Sequence, residues 1–230
     1  PAANGVLLAG LKTGLAKFDP QSGAFDMLSQ VEPDLPGNRL NDATVAADGS
    51  VWFGSMDDDE TAETGRIHRW DGTAASSVDL PPVCITNGPC FSPDGTTLYH
   101  VDTLGGIIYA SSIGADAAVV ETRVFAKVDP ADGYPDGVIA DSEGNVWVGL
   151  WNGWSARQYA PDGSIRTQVR LPAANITKIA LGGPDLRTAY ATSARKGLDA
   201  EALGEQPDAG SLFRFEVEIA GQPLPEARID

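Results

Sequence analysis

The feature that most constrains this chain is a repeat. Short β-rich runs at 51–54, 97–101, 145–149 and 188–192 each follow a turn signal: Asp48-Gly49, Asp94-Gly95, Glu143-Gly144 and Pro184-Asp185. Aligning Phe53, Tyr99, Val148 and Tyr190 gives successive spacings of 46, 49 and 42 residues. That is the period of four-stranded propeller blades, whereas a β-sandwich would space its strands irregularly. A second set of strands keeps the same register at 65–70, 106–110, 155–160 and 211–216, with 14–18 as a further copy. Several end in hairpin turns such as Asp71-Gly72 and Pro161-Asp162-Gly163. Four repeats carry both halves, and half a repeat opening at its turn, Asn4-Gly5, precedes them. Helical periodicity is weak everywhere except over 198–203. The expected fold is an all-β propeller, a single domain over 1–230 with about four and a half blades represented.

Composition narrows the function. Hydrophobic residues make up 42% of the 230, enough to bury a core. Apolar runs such as 6–11 are too short to cross a bilayer. Acidic residues outnumber basic ones 32 to 16, and the net charge of -16 would repel a phosphate backbone, which argues against nucleic acid. Glycine and proline are spread along the chain without a linker-like cluster. Two cysteines, Cys84 and Cys90, cannot make a disulfide framework, which fits a reducing, cytoplasmic setting. They flank Asn87 and read as small buried hydrophobes near it.

Twelve residues before each aligned position lie Asn41, Asn87, Asp136 and Lys178. All four are polar where an innermost strand should begin, and in a propeller those starts face the central channel. Asn87-Gly88 and Pro135-Asp136-Gly137 are also ordinary turn sequences, and Lys178 also reads as a surface residue. The shared register is what unites the set. Two amide oxygens and a carboxylate are hard oxygen ligands suited to Ca²⁺, Mg²⁺, Mn²⁺ or Fe²⁺. Strand direction places the loops 56–64, 103–105, 151–154 and 193–209 around this end of the channel. Trp151 and Trp154 offer an apolar wall for a sugar ring, or ordinary packing. Arg195 and Lys196 offer cations for hydroxyls or a developing anion, or a solvated loop. The run Asp57-Asp58-Asp59-Glu60 lacks the alternation and glycine of an EF-hand loop and reads as a solvated acidic rim. No Gly-x-Ser-x-Gly elbow, P-loop or dinucleotide fingerprint occurs. His68 reads as an outer-strand residue facing solvent, and His100 as a packed, hydrogen-bonded histidine of a second strand.

At these positions the chain resembles the gluconolactonase, regucalcin and senescence-marker family. The matching stretches are Asn38-Arg39-Leu40-Asn41-Asp42, Ile85-Thr86-Asn87-Gly88-Pro89, Ser92-Pro93-Asp94-Gly95, Tyr134-Pro135-Asp136-Gly137 and 141–153. Cys84 to Cys90, Thr177-Lys178, 182–185 and the TSARKGL run at 192–198 resemble its bacterial sugar-lactonase branch, including xylonolactonase. The resemblance implies a six-bladed propeller with one axial divalent cation held by a glutamate, an asparagine and an aspartate. Asn87 and Asp136 match the last two. Asn41 matches a polar position beside cation and substrate, and Arg39 the substrate-binding arginine. The glutamate has no match, so the expectation is a six-bladed propeller whose first blade and part of the second are absent from this chain. By the repeat length that is on the order of 70 residues.

The resulting expectation is hydrolysis of a sugar-acid lactone to its aldonic acid, a hydrolase acting on a small-molecule ester with one divalent cation (Ca²⁺, Fe²⁺, Zn²⁺, Mn²⁺ or Mg²⁺). Asp136 is the candidate general base and, with Asn87, a cation ligand. Arg39, Asn41, Lys178 and Trp151 are candidates for binding the sugar. The alternatives are a non-catalytic calcium-binding or scaffold propeller, and another metal-dependent esterase of the same fold.

Overall fold

Eighteen strands account for almost all regular structure in the computed structural model, which describes residues 1–229. Strands β1 (Leu7–Leu11), β2 (Gly14–Phe18) and β3 (Phe25–Gln30) make a three-stranded sheet. A four-stranded sheet follows, of β4 (Asn38–Val45), β5 (Val51–Asp57), β6 (Ile67–Trp70) and β7 (Ala75–Ser77). The next is β8 (Thr86–Phe91), β9 (Thr97–Asp102), β10 (Ile107–Ile113) and β11 (Val119–Lys127). Then come β12 (Tyr134–Ala140), β13 (Val146–Trp151), β14 (Ser155–Tyr159) and β15 (Ile165–Arg170). The last sheet has three strands, β16 (Asn175–Gly182), β17 (Thr188–Ala194) and β18 (Leu212–Glu216). Each sheet is an antiparallel meander in chain order, and β4, β8, β12 and β16 pack side by side in sequence. One short helix, α1 (Ala200–Glu205), lies between β17 and β18, capped by the Asp199 carboxylate on the Ala202 N–H at 2.9 Å.

The six-bladed expectation is therefore corrected: the described residues form five blades of three or four strands. What read as half a repeat is a blade in its own right. Residues 7–11 pair with 14–18, and these with 25–30, so consecutive hairpins give a three-stranded sheet.

Local chemistry explains the hairpins. At the β4–β5 turn Gly49 sits at φ +80°, and the Asp48 carboxylate accepts from the Ser50 N–H and hydroxyl at 2.9 and 2.6 Å. Asp71 with Thr73, Asp94 with Thr96 and Asp162 with Ser164 repeat the device. The core is laid between blades. Trp52 meets Phe91 of the next blade edge-on at 5.5 Å, and Phe125 bridges Tyr99 and Tyr159 at 4.9 and 6.1 Å. Each fully buried side chain of this size contributes about 2–3 kcal/mol of hydrophobic stabilisation. The segment after β18 runs back along the blade ends. Ser142 N–H donates to the Ala220 carbonyl, Arg228 N–H to that of Gly49, and Ala227 N–H to that of Pro1.

One irregularity recurs and positions everything that follows. In β4 the ladder breaks between Leu40 and Ala43, in β8 between Asn87 and Cys90, and in β12 between Pro135 and Val138. Each break sets two residues opposite one, a β-bulge that frees residues from the pleat and re-aims their side chains. In β16 the break lies between Ile176 and Lys178 and leaves out Thr177 alone.

Candidate active site

The bulges converge on a cavity of about 430 Å³. Strand starts supply Arg39, Asn41, Asn87, Tyr134, Asp136 and Thr177, and the loops add Met56, Glu60, Thr103, Leu104, Trp151 and Lys196. All four loops expected to rim this end of the channel contribute to it. A second cavity of about 330 Å³ lies on the other side of the bulges, lined by Leu40, Phe53, Cys90, Val138, Lys178 and Ile179 among others, and Asn41 reaches both.

A chain of hydrogen bonds fixes the polar wall. The Arg39 guanidinium donates from Nε to Asp58 Oδ1 at 3.0 Å and from Nη1 to Asn41 Oδ1 at 3.0 Å. Asn41 Nδ2 then donates to Asn87 Oδ1 at 2.9 Å and to the Thr86 carbonyl at 2.8 Å. Asn87 Nδ2 donates to Thr103 Oγ1 at 2.9 Å. The order of donors settles both amide orientations: Asn41 spends its oxygen on Arg39, while Asn87 Oδ1 keeps a lone pair for a ligand.

Asp136 is half-buried, and among the described residues no side chain donates to its carboxylate. Burial, then the neighbouring Asp42 charge, pushes its pKa up to about 8, against the opposing pull of Lys178. Asp42 itself takes Lys178 Nζ on Oδ2 at 2.5 Å. Gly137 makes this fit possible, since a Cβ there would lie 2.2 Å from Lys178 Cδ and 2.9 Å from the Thr177 carbonyl oxygen.

Arg39, Asn41, Asn87, Asp136 and Trp151 thus meet around one cavity. Lys178 does not join them: the one-residue break in β16 returns it to the ladder opposite Thr192, and it lines the second cavity while Thr177 takes the place at the site. Trp154 and Arg195 line neither cavity; Trp154 lies under the Arg170 guanidinium at 5.4 Å. Asp42, which no register argument singled out, entered the sequence reading only as the last residue of the family-like stretch Asn38-Arg39-Leu40-Asn41-Asp42.

Two further expectations are corrected. His68 is buried, stacked on Phe53 at 5.4 Å and paired with Glu32 at 3.0 Å. In the acidic run Asp58 and Asp59 are exposed and Glu60 rims the cavity, as expected, and Asp57 alone departs from a solvated rim. Asp57 is buried and caps the Thr61 and Ala62 N–H groups, Asp58 pairs with Lys12 and Arg39, and Glu60 pairs with Lys196. His100 is buried and bonded to Ser111 Oγ at 2.9 Å, as expected, and both cysteines are buried, with the Cys90 thiol pushed up to about 12 by desolvation. Glu32 was not foreseen at all. Burial would raise its pKa, but hydrogen bonds from His68, Asn38 and Ser55 outweigh it and hold the carboxyl below its ordinary range.

Fold and cavity together define a β-propeller with an axial, oxygen-rich small-molecule site. A family model described as SMP-30/gluconolactonase/LRE-like region matches residues 1–195, and the chain belongs to this family. It is 38% identical over 219 residues to an L-arabinolactonase of Azospirillum brasilense, covering 94% of this chain and 72% of that protein. To a 6-deoxy-6-sulfogluconolactonase of Pseudomonas putida it is 30% identical, covering 96% and 76%. The crystal structure of a calcium-binding protein, regucalcin, from Agrobacterium tumefaciens superposes with a TM-score of 0.94 at 30% identity, covering 99% of this chain and 78% of that one.

Proposed function

We propose that the protein hydrolyses a sugar-acid lactone to its aldonic acid with the help of one divalent cation held by Asn87 and Asp136. The observation that carries this reading is the Asp136 carboxyl, facing the cavity without a side-chain donor, beside an amide oxygen fixed in direction by Asn41. A carboxylate raised to about 8 by burial and a like charge is a group in want of a cation. Asn87 Oδ1 and the Asp136 carboxylate are hard oxygens on one cavity wall, which suit an oxygen-seeking ion. When bound, such an ion supplies positive charge that polarises a lactone carbonyl.

The remaining roles belong to the chain's own side chains. Ionised Asp136 accepts the proton of the attacking water. Arg39, held by Asp58 and the Leu40 carbonyl, presents its remaining Nη2 edge to sugar hydroxyls. Asn41 positions Asn87 and Arg39 relative to one another. Trp151 and Met56 give the ring an apolar wall. The relatives' names favour a pentono- or hexonolactone as substrate.

The experiment is acid release from a panel of such lactones by chelator-stripped protein, with Ca²⁺, Mg²⁺, Mn²⁺, Fe²⁺ and Zn²⁺ restored singly. Cation-dependent release that Asp136→Ala abolishes in a folded chain supports the reading. No release with any cation replaces it with a binding propeller.

A further inference from the structure

We propose that Glu60 and Lys196 form a charge filter that keeps anionic lactones out of the site. This rests on the lactonase reading and adds to it the substrate's charge class.

Glu60 and Lys196 come from loops 136 positions apart in sequence, both line the 430 Å³ cavity, and their carboxylate and ammonium pair across it. The pairing is held from both backbones. Glu60 sits at φ +58°, a conformation that side-chain-bearing residues rarely adopt, and its N–H donates to the Asp57 carbonyl. The following residues are fastened by the Asp57 carboxylate, which accepts from the Thr61 and Ala62 N–H groups at 2.8 and 2.9 Å. On the other side the Lys196 carbonyl accepts from Asn175 Nδ2 at 3.0 Å. Asn175 in turn takes the Asn152 N–H on its own oxygen, so Lys196 is tied to the loop that carries Trp151.

The consequence is electrostatic. The cavity's two cations are Arg39 and Lys196, and each already has a carboxylate on it, Asp58 and Glu60 respectively. Asp58 is shared between Arg39 and Lys12, whereas Lys196 has Glu60 to itself, so Glu60 is the carboxylate that sets how much free positive charge the mouth offers to a carboxylate or sulfonate on the sugar's far end. The chain's net charge of -16 adds a repulsive field of longer range. Neutral polyhydroxylated lactones meet neither obstacle. Removing the Glu60 charge while keeping its shape frees Lys196 and relaxes the exclusion.

The test compares wild type, Glu60→Gln, Lys196→Gln and the double variant on neutral L-arabino-1,4-lactone and anionic D-glucaro-1,4-lactone. Calorimetric binding of D-glucarate supplies a readout independent of turnover. Glu60→Gln is expected to raise kcat/KM on the anionic lactone, and affinity for glucarate, about tenfold, the order of one rim charge acting at close range through partly screened solvent. Added salt should shrink the gain, and the double variant should lack it. An absolute kcat/KM and glucarate affinity that stay flat or fall in folded Glu60→Gln, or that rise equally in Lys196→Gln, overturn the filter. A wild type inert toward every lactone defeats the lactonase reading instead, and the glucarate affinities then decide the filter alone.

Discussion

Asn41→Ala should be the most informative single change in the polar wall. Its amide makes three hydrogen bonds: it accepts from Arg39 Nη1 and donates to Asn87 Oδ1 and the Thr86 carbonyl, all within 3.0 Å. Truncation leaves two acceptors without their donor. Each such loss in a buried site costs about 1–3 kcal/mol, and because Asn41 opens onto both cavities, water can replace part of it. The expected loss of stability is therefore about 2 kcal/mol, a fall in Tm of roughly 4–8 °C for a domain of this size. The functional loss should be larger. Asn87 Oδ1 loses the contact that aims it, and Arg39 loses one of its anchors, so cation affinity should fall about 10- to 100-fold. With substrate groups misplaced by something near an ångström, kcat/KM should fall about 100-fold even at saturating cation. The assays are thermal melting of chelated protein and lactone acid release across a cation titration. A folded Asn41→Ala chain with unchanged half-saturation by the cation and kcat/KM within threefold of wild type would refute the positioning role.

Asp136 gives a pH signature. Its folded pKa, about 8, lies above the ordinary carboxyl value, so the folded state binds this proton more tightly than the unfolded chain does. Chelated protein should lose stability as pH rises from about 4 towards 8; melts of Asp136→Asn should lack that component and run higher than wild type at pH 8. Gly149→Ala should destabilise by about 3 kcal/mol or more, read by urea unfolding, because the new Cβ would meet only backbone: the Ile176 carbonyl at 2.8 Å and the Ile176 and Thr177 carbonyl carbons at 3.0 Å. A wild-type midpoint would mean that the β13–β16 contact yields freely. Glu32→Ala removes the acceptor for His68, Asn38 and Ser55 and should cost about 3–5 kcal/mol by the same measurement, with Glu32→Gln recovering part of it.

Much of this architecture was legible because a period is visible in the turns and second strands themselves. Asp-Gly and Glu-Gly turns fixed where β5, β9 and β13 begin, and the twelve-residue offset located the bulges of β4, β8 and β12. It failed at β16, where a bulge narrower by one residue sends Lys178 to the other side; spacing alone does not report bulge width. Blade number failed for a related reason. The first blade's strands pair with each other, and residues 25–30 alternate too little to announce an edge strand. Buried ion pairs such as Glu32–His68 were illegible because a polar outer-strand residue looks the same whether it meets water or a partner from the preceding loop.

The bulges also separate two kinds of information in the chain. Asp42, Asp136 and Thr177 fall in the gaps of the ladder, so the sheet's pairing imposes little on what those letters must be. New chemistry can be written there one substitution at a time while the blades keep their register. A single inserted or deleted residue is another matter: it would turn every later side chain of the strand from channel to core, as the placement of Lys178 already illustrates on a small scale. Such a site is open to change by replacement and closed to change by length.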